Sequence, residues 1–211
     1  PHFLSSKELK SFRHACALCL AYDAAMRTVA VMIAIGLAGI AQDALAFWDP
    51  VTEQCKPPAL EGTASAVDGD TLLLTNKDGF KAVLRLVSID APELYQDCRI
   101  DGEPWSCGYA ARDTLDDLVA DVTLSCLTCG YNRDGAMLAL CTDGDRDIGA
   151  EVLREGMATS FAFFSNGMHA AESQAESAGR GLWQGDWVHP QVWREGARLG
   201  DEPCQGCYLP Q

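Results

Sequence analysis

The alternation of apolar and polar positions along the middle of the chain predicts a sheet of five short strands. Asp-Gly, Asn and Pro residues between the apolar runs mark the turns that separate the strands. One stretch, residues 108–120, instead carries apolar residues at helical spacing and predicts a helix after the third strand. The predicted strands cover residues 63–67, 71–75, 81–89, 122–128 and 136–142.

Two further helices are predicted after the fifth strand. Asp147 is a typical N-cap for a helix that runs through Glu155 and is closed by Gly156, and another helix is expected over residues 168–178. Five short strands with one helix inserted after the third and helices at the end fit a small closed barrel. We therefore expect a single α+β domain, a five-stranded OB-fold barrel with about three helices.

The first part of the chain has the pattern of a processing signal. A cationic start at Met26-Arg27, an apolar run and a small-x-small cleavage site ending at Ala46 together predict a secretory signal peptide. The apolar run is short for a bilayer span, so a retained anchor is the alternative. The predicted segments are an upstream extension at 1–25, the signal peptide at 26–46, an extended lead-in at 47–61 tied by Cys55, the barrel domain at 62–200 and a cysteine-containing tail at 201–211.

Eight cysteines follow the predicted signal peptide, and an even number in an exported domain indicates disulfide bonds. Cys98 and Cys107 bracket one loop, so we expect them to pair. Cys126 and Cys141 lie on two predicted strands that flank a common turn, and we expect a second bond there. The other four have no assignable partners. Two Cys-x-x-Cys spacings would suit zinc, but export and the pairing of Cys126 disfavour a zinc site.

Charge limits what the protein binds. The chain has 211 residues, a formal net charge of -14 and a pI near 4.5. Affinity for nucleic-acid phosphates comes mainly from Lys and Arg. A broad basic surface is therefore excluded, and contact with nucleic acid must be local, through a few arginines and a metal ion.

Three carboxylates and one arginine are concentrated around the second and third predicted strands. Asp70 follows an Asp-Gly turn, and Asp90 and Glu93 flank an Ala-Pro turn. Connected strands return the chain to its starting point, so we expect these side chains to meet. Arg85 lies among apolar neighbours and needs an anionic partner, either a carboxylate or a phosphate. Carboxylate and carbonyl oxygens are the ligands of Ca²⁺, so the sequence predicts a calcium pocket beside a phosphate-binding arginine.

The order and spacing of these residues resemble the staphylococcal nuclease family. Its members carry Asp-Gly-Asp-Thr and then Arg-Leu-x-x-(Ile/Val)-Asp-(Ala/Thr)-Pro-Glu, which this chain matches at 68–71 and 85–93. The likeness continues through short motifs at 107–110, 156–158 and 181–183, and it covers about residues 62–194. The resemblance implies an OB-fold barrel that hydrolyses phosphodiester bonds of nucleic acid with calcium.

Roles are carried over from the family one residue at a time. The resemblance implies that Asp70, Asp90 and the backbone carbonyl of Ala91 ligate calcium. It also implies that Glu93 is the general base and that Arg85 is the first arginine on the phosphate.

The chain departs from the family in the loop between the fourth and fifth strands. The family usually has Asp-(Arg/Lys)-Tyr-Gly-Arg there, whereas this chain has Asn-Arg-Asp-Gly-Ala at 132–136. Ala136 therefore replaces the second catalytic arginine, and losing one preorganised donor typically lowers the rate about 10²- to 10³-fold. Arg133 is a candidate substitute that would bind substrate, although Asp134 competes for its charge.

Aromatic residues near the C-terminus are further candidates. Phe164, with Phe161 and Phe163, lies near the position of nucleotide-flanking tyrosines in the family and would stack on a nucleobase. Core packing is the alternative for these phenylalanines. Tryptophans at 183, 187 and 193 are interpreted as pegs that dock the C-terminal segment on the barrel.

Two functions follow from these features. The first is a calcium-dependent nuclease or phosphodiesterase, weakened at Ala136, which is periplasmic or secreted and acts as a monomer with no membrane span after signal cleavage. The second is a non-catalytic barrel that binds a metal, an anion or a partner in the cell envelope. The intact carboxylates and Arg85 favour the first, whereas Ala136 and the acidic surface favour the second. A disulfide-exchange role for Cys204 and Cys207 is disfavoured because no thioredoxin-like alternation of strands and helices surrounds them.

Overall fold

The computed structural model describes residues 55–160, 166–201, 203–204 and 206–209. The predicted extension, the signal peptide, the first part of the lead-in and the three phenylalanines at 161, 163 and 164 lie outside the described residues. Within the described ranges, no helix has the length and hydropathy needed to cross a bilayer.

The described chain contains short strands, three helices of more than one turn and a terminal helical turn. The strands are β1 (Lys56–Ala66), β2 (Thr71–Thr75), β3 (Lys81–Leu86), β4 (Ile89–Asp90), β5 (Cys98–Ile100), β6 (Glu103–Trp105), β7 (Leu124–Tyr131), β8 (Met137–Asp143), β9 (Arg146–Asp147), β10 (Thr159–Ser160), β11 (Trp187–Val188) and β12 (Cys207–Tyr208). The helices are α1 (Cys107–Val119), α2 (Ile148–Arg154), α3 (Asn166–Ser177) and α4 (Pro190–Arg194), with a 3₁₀ turn at Gly181–Gln184.

Five strands close into a ring. The sheet order is β3-β2-β1-β7-β8-β9. The parallel pairing of β3 with β8 closes the ring, and the short strand β9 pairs with β8 outside it. Leu72, Leu74 and Leu84 fill the interior together with Leu115 and Val119 of α1. The predicted five-stranded OB-fold barrel in a single α+β domain is confirmed.

The first strand begins earlier than predicted. Residues 56–61 were expected to form an extended lead-in, but they are the first half of β1 and pair with β7. Pro57 and Pro58 conceal the strand pattern because proline cannot donate to a ladder. The structure accommodates them with a shift of register between Lys56 and Leu60.

The predicted strand at 81–89 is wrong beyond Leu86. Ser88 has a φ of 72°, a left-handed conformation that ends the alternation of β3. Residues after this turn form the separate strand β4, which pairs with β10 rather than with the barrel. The turn is important for the site because it carries Asp90 back toward the barrel.

Four disulfides join the eight cysteines from Cys55 onward. Cys98 pairs with Cys107 and Cys126 with Cys141, at the two positions proposed from sequence. Of the four without assignable partners, Cys55 pairs with Cys129 and Cys204 with Cys207. These bonds exclude a zinc site at the two Cys-x-x-Cys spacings. Their number also indicates an oxidising, exported environment.

The C-terminal segment packs on the disulfide-closed loop. Trp183 and Trp187 contact Tyr208 and form a cluster with Cys98 and Cys107, separate from the barrel core. The expectation that three tryptophans dock on the barrel is therefore wrong. Trp193 lies instead beneath a guanidinium, with the Cζ atom of Arg198 4.1 Å from its ring centre. The segment thus reaches the barrel through the loop that follows Glu93.

Candidate active site

Asp70 is held by the tight turn between β1 and β2. A Cβ at Gly69 would collide with the methyl groups of Ala91 and Ala111, so only glycine allows this approach to α1. The backbone N–H of Asp70 donates to Asp68 Oδ1 at 3.0 Å, and the N–H of Leu86 donates to the carbonyl of Asp70 at 2.8 Å. The turn is therefore fixed to the end of β3.

Asp90 reaches the same place from the other side. Its carbonyl accepts a hydrogen bond from Thr159 Oγ1 at 3.3 Å, and its side chain is only 1% exposed. Asp70 and Asp90, together called the carboxylate pair, are joined by Arg85, whose Nη2 donates to Asp70 Oδ2 at 2.8 Å and to Asp90 Oδ1 at 2.9 Å. The N–H of Ala91 adds a 3.3 Å bond to Asp70 Oδ2. Of the two partners left open for Arg85, the structure contains the carboxylates.

Burial makes the charge of Asp70 costly. Loss of hydration raises the pKa of Asp70 to about 7, although Arg85 acts to lower it, and the charges of Asp68 and Asp90 raise it further. A carboxyl group that is half protonated near neutral pH favours a bound cation, because a second positive charge stabilises the ionised form. The positive charge of Arg85 alone is therefore too little to keep Asp70 fully ionised at neutral pH.

Arg194 completes the site, and no sequence signal pointed to it. Its Nη1 donates to Asp90 Oδ1 at 2.9 Å and to Glu93 Oε1 at 2.7 Å, while Nη2 donates to Asp90 Oδ2 at 2.9 Å. These bonds, above all the one to Asp90, raise the pKa of Arg194. Arg194 lies 104 residues beyond Asp90 at the end of the short helix α4, so only the folded chain brings the two together.

Glu93 has a rigid backbone and a partly exposed carboxylate. The N–H of Gln96 donates to the carbonyl of Glu93 at 2.7 Å, and Gln96 Oε1 accepts from the N–H of Glu93 at 3.3 Å. Gln96 is fully buried and also donates to the carbonyl of Val188 at 2.7 Å. A Cβ at Gly108 would collide with the Glu93 carbonyl, so α1 packs directly on this turn. Gln96 is a positioning residue that the sequence analysis missed.

A groove of about 510 Å³ lies next to the carboxylate pair. Three arginines line it, Arg85, Arg133 and Arg194, and we call it the arginine groove. Its lining contains one acidic residue, Asp134, and two of the three arginines, Arg85 and Arg194, are ion-paired with Asp70, Asp90 and Glu93. The groove therefore concentrates guanidinium groups on a chain of net charge -14. The remaining lining residues are Leu86, Val87, Ser88, Ile89, Asn132, Leu138 and Gln191.

Ser88 lines the groove but keeps its hydroxyl buried. The residue is 4% exposed, and its Oγ is buried without a hydrogen-bond partner among the described residues. A buried hydroxyl without a partner costs roughly 1–3 kcal/mol. The left-handed backbone of Ser88 adds a second energetic cost to the 87–88 turn. Strain of this kind is common at functional sites.

The loop before β8 places Arg133 in the lining of the groove. The same loop carries Ala136, which has no functional group. Asn132 Oδ1 accepts from the N–H groups of Asp134 at 3.0 Å and Ala136 at 2.8 Å, which fixes the turn. Ala136 has no side-chain donor, whereas Arg133 shares the groove with Arg85. The structure thus brings together all the described candidate site residues except Ala136, which lacks a functional group.

The donor set fits a hard divalent cation. Asp70 and Asp90 offer carboxylate oxygens, and the adjoining Ala91 offers a carbonyl. Among the described residues, no three His, Cys, Asp or Glu side chains are grouped as a metal centre. The protein would therefore supply only a few of the oxygen ligands. Water and a bound phosphate would supply the others, as is common for such cations.

Comparisons with known proteins agree with this arrangement. The sequence model of the family "Staphylococcal nuclease homologue" matches residues 83–185. An uncharacterized endonuclease of Haemophilus influenzae is 29% identical over 135 residues, which cover 63% of this chain and 71% of that protein. Uncharacterized endonucleases of Escherichia coli O157:H7 and of Escherichia coli are 32% and 31% identical over 134 residues, which cover 61% of this chain and 80% of each relative.

Proposed function

This chain belongs to the staphylococcal nuclease family, and we propose that it hydrolyses phosphodiester bonds of nucleic acid with a bound divalent cation. One observation carries the proposal. Arg85, which lines the arginine groove, bridges the buried carboxylate pair, and Arg194, which lines the same groove, binds both Asp90 and the partly exposed carboxylate of Glu93. A phosphate bound by these two arginines would therefore lie close to the proposed cation ligands and to the proposed base.

Asp70, Asp90 and the carbonyl of Ala91 would hold the cation, for which we propose calcium. When bound, the cation polarises the phosphate and stabilises negative charge that develops on its oxygens. The raised pKa of Asp70 supports this assignment, because a cation there relieves the cost of an ionised, buried carboxylate.

Glu93 is proposed to take the proton from the attacking water. Its carboxylate is about one third exposed and is positioned by the Gln96 bonds, so water reaches it while its backbone stays fixed. As the water oxygen bonds to phosphorus, the opposite P–O bond breaks and the leaving oxygen takes a proton from solvent, while Glu93 returns its proton to solvent after the step. Arg85 would hold the phosphate, because its Nη1 and Nε have no partner among the described residues.

Substrate binding is proposed to extend along the arginine groove through Arg133. Phe164, the candidate stacking residue, remains a proposal outside the described residues. We further propose that the protein is exported, which its disulfides support, and that it acts as a monomer.

A second candidate function is binding without catalysis. Ala136 removes a donor that the family uses, and the acidic surface repels nucleic acid outside the groove. A barrel of this kind would bind a metal, an anion or a partner in the cell envelope. We favour hydrolysis because Glu93, besides its ion pair with Arg194, adds a partly exposed carboxylate to the site, which would weaken anion binding but can accept a proton.

Hydrolysis of single-stranded DNA and RNA by the oxidised full chain tests the proposal. We expect cleavage with calcium that stops with chelator, at a rate reduced by Ala136. Glu93→Gln should lower kcat about 10²- to 10⁴-fold, because it removes the general base. Glu103→Gln, which neutralises an exposed acid in β6, is the matched control. No cleavage by the parent, with activity in Ala136→Arg, would favour the binding function.

A further inference from the structure

We propose that Arg194 is the second arginine that binds the scissile phosphate, supplied by the C-terminal helix α4 instead of the loop before β8. The inference rests on the proposed function. It concerns a residue that lies nine positions beyond the region matched by the family model, which ends at residue 185. The argument starts from the hydrogen bonds that Arg194 makes and those that it leaves open.

Arg194 uses three of its five N–H donors. Nη1 donates to Asp90 and Glu93, and Nη2 donates to Asp90. Among the described residues, its Nε–H and the second Nη2–H have no partner. These two donors lie along one edge of the planar guanidinium, in the spacing that binds two oxygens of a phosphate. Arg194 therefore has a free fork while its other edge is fixed.

The free edge belongs to a residue of the arginine groove. Arg194 and Arg85 both line this groove and both donate to Asp90 Oδ1, so their guanidinium groups meet at one carboxylate oxygen. Two such groups can contact a phosphate from different directions and stabilise the charge that grows on it during attack by water. Ala136 can make no such contact, so Arg194 supplies the donor that its loop lacks.

Helix α4 is held in a way that suits a catalytic arginine. His189 caps the helix, its Nδ1 accepting from the N–H of Gln191 at 3.4 Å, and its Nε2 lies 3.3 Å from Thr159 Oγ1. Thr159 in turn binds the carbonyl of Asp90, so the helix start and the carboxylate share one anchor. Pairing of β11 with β12 fixes the chain immediately before the helix. The position of Arg194 is therefore set by the same contacts that set Asp90.

Arg194 has an alternative role as a clamp that only holds α4 on the site. A clamp and a phosphate ligand differ in their dependence on substrate charge. We therefore propose to measure binding of single-stranded octathymidylate by fluorescence anisotropy in chelator, with phosphodiester linkages and with neutral methylphosphonate linkages. The proteins are the oxidised full chain, Arg194→Ala, Arg194→Lys and the control Arg154→Ala, which removes an equal charge from an ion pair with Glu151 on α2.

A phosphate contact predicts a specific pattern. Arg194→Ala should reduce the slope of log K against log salt by about 0.7 for the phosphodiester strand and leave methylphosphonate binding unchanged. Arg194→Lys should keep most of that slope, because it keeps the charge. In hydrolysis, Arg194→Ala should lower kcat about 10²- to 10³-fold. Arg194→Lys should recover kcat only in part, since an ammonium group cannot form the fork.

Two outcomes overturn the assignment. One is a salt slope and a kcat for Arg194→Ala that match those of Arg154→Ala. The other is an equal loss of affinity for the charged and the neutral strand, which would make Arg194 a clamp. If the parent fails to cleave while the salt slope still depends on Arg194, hydrolysis is wrong and the phosphate contact stands. If the parent cleaves and Glu93→Gln does not, but Arg194→Ala is normal, hydrolysis stands and the contact is wrong.

Discussion

The carboxylate pair and the arginine groove share a wall, yet the chain builds them in opposite ways. Asp70 and Asp90 are less than 5% exposed and come from two turns only 20 residues apart. The groove collects Arg85, Arg133 and Arg194, partly exposed residues from three separate regions of the chain. The carboxylate pair forms where the turn between β1 and β2 meets β4, whereas the groove is completed by Gln191 and Arg194 of the C-terminal segment. We therefore expect the carboxylate pair to govern stability and cation binding, and the groove to govern contact with substrate.

The largest expected effect is the pH dependence of the free energy of unfolding, which Asp70 should control. The folded-state pKa of Asp70 is raised from 3.8 to about 7, so between these values the folded protein retains a proton that the unfolded chain has lost. Stability in chelator should therefore decrease as pH rises from about 4 to 7, by roughly 4 kcal/mol from this group. Urea unfolding across this range should show the decrease in the parent and a flatter profile in Asp70→Asn.

Asp78→Asn is the matched control for that profile. Asp78 lies exposed in the turn between β2 and β3, so its replacement removes one carboxylate without touching the buried site. The control should retain the pH dependence of the parent. Equal profiles for the parent and Asp70→Asn would show that burial of Asp70 does not determine stability.

A smaller effect is expected where the two regions meet, at Arg194. Because Arg194 donates to both oxygens of Asp90, it competes with any cation for that carboxylate. Removing the positive charge of Arg194 a few ångströms from the cation should make the free energy of calcium binding more favourable by at least about 1 kcal/mol. Arg194→Ala should therefore bind calcium roughly fivefold more tightly or better. Isothermal titration calorimetry measures this, with Arg154→Ala as the control. Unchanged affinity in Arg194→Ala would separate Arg194 from the cation site.

The two regions also differ in how far the sequence predicts them. Asp70, Arg85 and Asp90 were predicted to meet because an Asp-Gly turn and an Ala-Pro turn end two connected strands, and local turn chemistry decides that geometry. The predicted barrel followed from strand alternation in the same way. Strand and turn positions need only interactions between neighbours in sequence or in one hairpin, whereas closure of the barrel uses the distant pairings of β1 with β7 and of β3 with β8.

Arg194 and Gln96 could not be found in this manner. Arg194 has no local motif, and its partners lie about a hundred residues away, so its role depends on how α4 docks. Gln96 belongs to no motif in the sequence, but it is buried and connects the Glu93 turn to Val188. The strand predicted through residue 89 failed for a related reason, because Ser88 adopts a left-handed conformation that tertiary contacts, not propensity, support.

The smallest predicted effect concerns Ser88, which lies in the groove two residues before Asp90. Ser88→Gly relieves the left-handed strain and removes a buried hydroxyl without a partner, while glycine adds unfolded-state entropy, so we expect a net gain of about 1 kcal/mol in urea unfolding. Ser88→Ala removes the hydroxyl but keeps the strain, and it should gain less. Because the hydroxyl is buried, both variants should leave KM for single-stranded DNA unchanged, and a raised KM would show that the hydroxyl reaches the phosphate. A gain in stability with an unchanged KM would assign Ser88 to the fold and leave substrate contact to the arginines.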